Sequence, residues 1–203
     1  MNDSLFKLES FVTRIATMSE VRSQEYQLTP FERIPSNKIK IKGSVHCDSD
    51  QALGKIVFEL LDQEEQVIIP SSQHEHIRKI GLWNETCFEL FLMLDNGHYI
   101  EGNFTTGFNW NLFYFKTYRE TPLKEWEIIH MNPIKDVLLS REKSLLIVEF
   151  PPEIKSFLIE QKLKSLSLTA VIKTKNGDTL YYAVKHTDTK PNFHHPDSFV
   201  PFQ

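Results

Sequence analysis

Glycine and cysteine are both scarce, at seven and two residues in a chain of 203. So little glycine leaves no glycine-rich phosphate loop, and the chain carries no GxSxG nucleophile signature. Two cysteines, Cys47 and Cys87, cannot make a cross-linked secreted scaffold. Free, buried thiols in a reducing compartment are expected instead. No apolar run approaches the ~20 residues needed to span a bilayer, so no membrane partner is expected. The N-terminal stretch sets Asp3 and Glu9 among its apolar residues and has no small-residue cleavage site. It does not read as a secretory signal, and a cytoplasmic location is expected. Basic surplus is missing too. Lys and Arg number 23 against 27 Asp and Glu, a formal charge of −4, and they are scattered. That excludes the electrostatic footprint of a nucleic-acid binder.

What the chain has in quantity is aromatic and β-forming residues: 15 Phe, 6 Tyr and 3 Trp. Residues 4–20 stand apart, with Leu5, Leu8, Val12 and Ile15 at helical spacing behind a capping Ser4. They read as an amphipathic helix of about four turns. The extension 1–23 is therefore expected to be helical, and to pack on the domain or to serve a partner or self-association. From there the period becomes two. Ile39, Ile41, Val45 and Cys47 alternate with Lys38, Lys40, Lys42 and His46, as in a strand with one wet face. Some ten further short strand-like runs follow, among them "QVIIP" and "EWEIIHM", separated by turn signals such as Asn96-Gly97 and Asn176-Gly177. A short helix is expected at "PPEIKSFLIEQKL", where Pro suits the first turn. The expectation for 24–203 is an all-β, antiparallel β-sandwich of about ten strands.

The segment Leu82–Arg119 says most about function. On its first strand Phe88, Leu90, Leu92 and Leu94 face one way, and Cys87, Glu89, Phe91 and Met93 the other. On the next, Ile100 and Phe104 oppose Tyr99, Glu101 and Asn103. A two-residue Asn-Gly turn would set Glu101 beside Leu92, a costly burial of charge. A three-residue loop, Asp95-Asn96-Gly97 with Gly97 left-handed, pairs Phe91 with Glu101 and Glu89 with Asn103. One slip flips the whole strand, so the second register is expected. The following strand adds either Trp110, Leu112 and Tyr114 or Asn111, Phe113 and Phe115, with Arg119 just beyond. Acids, an amide, an arginine and flat rings on one face suit a sugar: rings stack on a pyranose and polar groups meet its hydroxyls. The competing role for Glu89 or Glu101 is an ion pair with Arg119 beneath a loop.

The stretches "LWNETCFELFL", "YIEGNF", "WNLFYFKTYR", "VIKTKNG" and "FHHPDSF", in that order, resemble the DOMON-like family, which is itself similar to family 9 carbohydrate-binding modules. The likeness runs from about Gln27 to the C-terminus. It covers Leu82, Trp83, Thr86, Cys87, Phe88 and Glu89, then Tyr99, Glu101, Asn103, Trp110, Asn111, Phe115, Tyr118 and Arg119. Near the end it covers His186, Phe193, His194, Asp197, Ser198 and Phe199. Gly102 stands where relatives usually carry an aromatic, Phe108 where they tend to have Gly, and Tyr182 where Trp is usual. The resemblance implies a bacterial-type β-sandwich whose concave face binds a ligand, with sugars and haem the known classes. Met93 and His186 are where a haem's axial pair would fall. There is no CxxCH for covalent attachment, Met93 reads as core, and no cofactor is expected.

Other chemistry is thinner. His194 and His195 are adjacent and would point to opposite faces of a strand, and His74 and His76 lie in a loop, so no metal is expected. No acidic loop has calcium spacing. In "KPNFHHPDSF" Asp197 reads as a turn-capping acceptor, His194 as facing the concave surface and His195 as facing solvent. The reading is a non-catalytic ligand-binding fold for a glycan or similar polyhydroxylated small molecule, with Trp83, Glu89, Tyr99, Glu101, Asn103, Trp110, Arg119 and His194 as ligand-binding residues and no catalytic residue. The competing class is a glycan-active enzyme using Glu89 and Glu101 as its carboxylate pair.

Overall fold

The computed structural model describes residues 22–32, 38–48, 52–71, 76–120, 133–140 and 142–202. The helix expected at 4–20 and the strand expected at "EWEIIHM" lie outside them.

The strands are β1 Ser23–Pro30, β2 Ile39–Cys47, β3 Leu53–Asp62, β4 Ile77–Arg78, β5 Cys87–Leu94, β6 Tyr99–Phe104, β7 Asn109–Phe115, β8 Ile134–Leu139, β9 Lys143–Glu149, β10 Leu163–Lys173, β11 Thr179–Ala183 and β12 Val200–Pro201. An α-helix, α1 Pro152–Glu160, begins with Pro152 in its first turn and buries Ile154 and Leu158, one helical turn apart. The all-β class expected from the sequence is what the chain adopts.

The described strands form one continuous sheet in the order β4-β7-β6-β5-β10-β11-β1-β2-β3-β9-β8, with β12 alongside β10. All pairings are antiparallel except β4 with β7. The sheet curls so that its two halves share one core. From the first half come Ile41, Val45, Ile56, Phe58 and Val148, and from the second Phe88, Leu90, Leu92, Leu168 and Ile172. Phe58 on β3 meets Phe88 on β5 with ring centroids 5.3 Å apart. β1 joins the halves: its first part pairs with β2, and Thr29 and Pro30 pair with Ala183 and Tyr182 of β11. Its sequence, SQEYQLTP, buries only Leu28, too few apolar positions for periodicity to find it. The run "QVIIP", expected as a strand, makes only a single bridge between Val67 and Thr174.

The β5–β6 hairpin takes the register expected. Phe91 lies opposite Glu101 and Glu89 opposite Asn103. Leu94 and His98 close the three-residue loop with a 2.9 Å hydrogen bond, and Gly97 sits at φ +82°. The neighbouring pairings fix the choice left open for β7, since Glu101 faces Phe113 and Asn103 faces Asn111. Trp110 pairs with Phe104 instead and belongs to the core. Its expected place among ligand-binding residues is therefore corrected. Alternation along β7 turns it away from Glu101, and the Arg78 guanidinium lies 5.4 Å from its ring centroid.

Gly102 and Phe108 each have a local explanation. A Cβ on Gly102 would come within 2.9 Å of Leu112 Cδ2 and 2.8 Å of the Phe104 ring, so the core has closed over this position. Phe108 sits at φ +64°, the left-handed region where glycine is at ease. Its ring is held against the core and lies edge-on to His76, 5.1 Å away. Tyr182 is a core residue, its hydroxyl 3.4 Å from the Ile39 carbonyl.

Candidate functional site

The face of β5, β6, β7 and β10 turned away from the core is built in cross-strand rows. One row runs Thr169, Glu89, Asn103, Asn111, and the next Ser167, Phe91, Glu101, Phe113. Beyond these, Tyr99 pairs with Met93 and Phe115. Alternation along "SLSLTAVIK" of β10 sends Leu166, Leu168, Ala170 and Ile172 inward and leaves Ser167, Thr169 and Val171 on this face. Phe91, Tyr99, Phe113, Phe115 and Phe199 form a second apolar cluster here, distinct from the core. Over it lies a cavity of about 530 Å³, within the usual range for small-molecule sites.

Of the residues expected to bind ligand, Trp83, Glu89, Glu101, Arg119 and His194 line this cavity. Trp83 stands at the rim, 42% exposed, its ring centroid 6.3 Å from that of Phe113. Tyr99 and Asn103 are fully covered and act from behind. The Asn103 amide donates to Glu101 Oε1 at 2.8 Å. Tyr99 stacks on Phe115, centroids 4.7 Å apart, and its hydroxyl accepts from the Arg119 backbone N–H at 3.2 Å. Its own proton is then free for His194 Nδ1, 3.0 Å away. This network assigns the histidine proton to Nε2, which faces Glu101 Oε2 at 3.6 Å.

The competing pairing of Glu89 or Glu101 with Arg119 is not formed among the described residues. The Arg119 guanidinium donates to Asn192 Oδ1 at 3.1 Å, and it acts on Glu101 and His194 only through its field. Burial raises the Glu89 carboxyl to about 8, helped by the charge of Glu101 and opposed by the Thr169 hydroxyl, which donates to Glu89 Oε2 at 3.0 Å. Burial likewise raises Glu101 to about 7, opposed by the Asn103 hydrogen bond and by Arg119. Burial, reinforced by Arg119, lowers His194 to about 4, so near neutrality the ring is uncharged. Cys87, buried beneath Asn103, is pushed well up by burial and by the nearby glutamates. It and Cys47 are free thiols.

The C-terminal stretch closes one side of the cavity through Pro191, Phe193 and His194. Asn192 ties it down, exchanging hydrogen bonds with Tyr118, Arg119 and Asp188. The turn after it is capped differently from expectation. His195 Nδ1 accepts the Asp197 backbone N–H at 3.2 Å, while the Asp197 carboxylate points outward. The reason is spacing, since the cap must precede the N–H it receives. Elsewhere, His186 Nε2 donates to the Thr29 carbonyl at 2.8 Å, and Met93 packs beside the aromatic cluster. Among the described residues no three or more His, Cys, Asp or Glu side chains converge as metal ligands would.

Sequence reasoning missed Val171, Tyr181 and Glu120 as cavity residues and Thr169 as the partner of Glu89. The alternation in β10 could have found Thr169 and Val171, but nothing local placed β10 beside β5. Tyr181, on β11, faces Phe193 with centroids 6.1 Å apart, a contact between strands and loop that no spacing announces.

No protein-family model matches the chain, and no curated protein does. Among solved structures, it is similar to a crystal structure of a "putative carbohydrate-binding protein" from Bacteroides uniformis ATCC 8492, with a TM-score of 0.57 and 12% sequence identity, over 95% of this chain and 88% of that one. At that identity the likeness speaks for the fold alone.

Proposed function

We propose that this chain is a non-catalytic binding β-sandwich of the DOMON-like kind, taking a carbohydrate or similar polyhydroxylated small molecule in its ring-lined hollow. The observation that carries the reading is the placing of Glu89 and Glu101, diagonal across adjacent strands, in a cavity walled by Trp83, Phe91, Phe113 and Phe115. Flat rings match the apolar faces of a pyranose, and the free carboxyl oxygens match its hydroxyls. A similar solved structure is named a "putative carbohydrate-binding protein", which agrees with the proposal. The test is a thermal-shift screen over neutral, acidic and amino glycans. A ligand at about 100 times its dissociation constant adds about 2.7 kcal/mol, or roughly 5–10 °C for a chain of this size. No shift across the panel would overturn the reading.

One observation favours a second reading. Both carboxyls are raised into the range of a general acid, as a glycan-active enzyme using Glu89 and Glu101 would need. Glu101→Gln separates the two: turnover of a bound glycan, lost in the variant while binding persists, belongs to an enzyme.

A further inference from the structure

Three acids line the cavity, Glu89, Glu101 and Glu120, against one permanently charged cation, Arg119, whose guanidinium is engaged by Asn192. Glu89 and Glu101 are only 4% and 6% exposed. Each uses one oxygen within the fold and leaves the other without a hydrogen-bond donor among the described residues. Glu89 Oε2 takes the Thr169 hydroxyl, and Glu101 Oε1 takes the Asn103 amide. His194 Nε2, at 3.6 Å from Glu101 Oε2, is too far for a good hydrogen bond.

We propose that the ligand is an amino sugar whose free ammonium group lies between the open oxygens of Glu89 and Glu101, against the surrounding aromatic rings. This deepens the carbohydrate reading and rests on it. A neutral hydroxyl has one proton to give and no charge, so it leaves two buried acids uncompensated. An ammonium has three donors and a compact positive charge. It can reach both carboxyls at once, since Glu89 and Glu101 project from diagonal positions of adjacent strands into one cavity, and charge-assisted bonds of about 2.8 Å to each let one nitrogen span oxygens up to about 5–6 Å apart. Phe91, Phe113 and Phe115, which line the same cavity, offer cation–π attraction. Burial holds protons on both acids, and the charge of Glu101 adds to this at Glu89; an ammonium between the two carboxylates displaces those protons by supplying a counter-charge.

The test is calorimetric titration of the full chain with D-glucosamine and D-galactosamine, each beside its N-acetyl and its hydroxyl counterpart, and with phenethylamine as an amine without a sugar. The expected result is binding of an ammonium form at least tenfold tighter than of its two counterparts, a ratio that collapses in Glu101→Gln. Equal or weaker binding of the amine forms, or none of any kind, overturns the inference, while neutral glycans bound in the thermal-shift screen would leave the carbohydrate reading standing. Phenethylamine bound as tightly as the hexosamines would keep the cation site and overturn the carbohydrate reading. Because the comparison is between ligands on the wild-type chain, it does not depend on how the variant folds.

Discussion

At the scale of single residues, the buried acids set the pH behaviour. Glu89 and Glu101 ordinarily titrate near 4.5 but in the fold do so at about 8 and about 7. Between those values the folded chain holds protons that the unfolded chain has released, so stability falls as pH rises through the window. His194 acts in the opposite sense. Its value drops from 6.5 to about 4, so its contribution is complete above 6.5 and is lost as pH falls toward 4. The interval from 6.5 to 8 therefore belongs to the glutamates. Urea unfolding should show the wild type losing about 1–2 kcal/mol across it, and Glu89→Gln should flatten the slope. An unchanged slope in the variant would show that Glu89 does not titrate there. These two acids were legible in the sequence because each lay opposite a leucine row, where only one register avoids burying charge in the core. The fate of Trp110 was not legible. Both faces of "WNLFYF" are apolar and aromatic, and only its pairing with β6 turns Asn111, Phe113 and Phe115 toward Glu101.

At the scale of elements, the β5–β6 hairpin fixes the site, and its loop fixes the hairpin. Gly97 holds the left-handed conformation that the three-residue loop requires. Gly97→Val should cost roughly 1–2 kcal/mol, read as a lower urea midpoint, whereas Gly97→Asn should cost less because Asn tolerates that region. Equal midpoints would mean that the loop does not set the register. Phe108 poses the reverse case, a bulky residue in a left-handed position held by its packing. The C-terminal clamp was partly legible. His194 was expected to face the concave surface and lines the cavity, but the cap passed to His195, because an acceptor must stand just ahead of the N–H it binds. The pairing of β10 with β5, which brings Thr169 to Glu89, joins segments 80 residues apart and leaves no local trace.

At the scale of the whole molecule, β1 makes one sheet of two halves, and periodicity does not reveal it. Its inward residue Leu28 is fully buried at the junction. Leu28→Ala should cost about 2–5 kcal/mol, and unfolding should remain one transition when followed by fluorescence and by circular dichroism together. Separate transitions would show that the halves hold independently. The curled sheet presents one face to the core and gives the other, over β5, β6, β7 and β10, to the cavity. The account's central claim is that this cavity takes a carbohydrate through Glu101 and its neighbours. The most direct measurement is retention on a glycan array of the wild-type chain beside a folded Glu101→Ala variant. The account predicts at least one glycan held by the wild type and held more than tenfold less by the variant. Retention of nothing by the wild type, or equal retention by both, would contradict it.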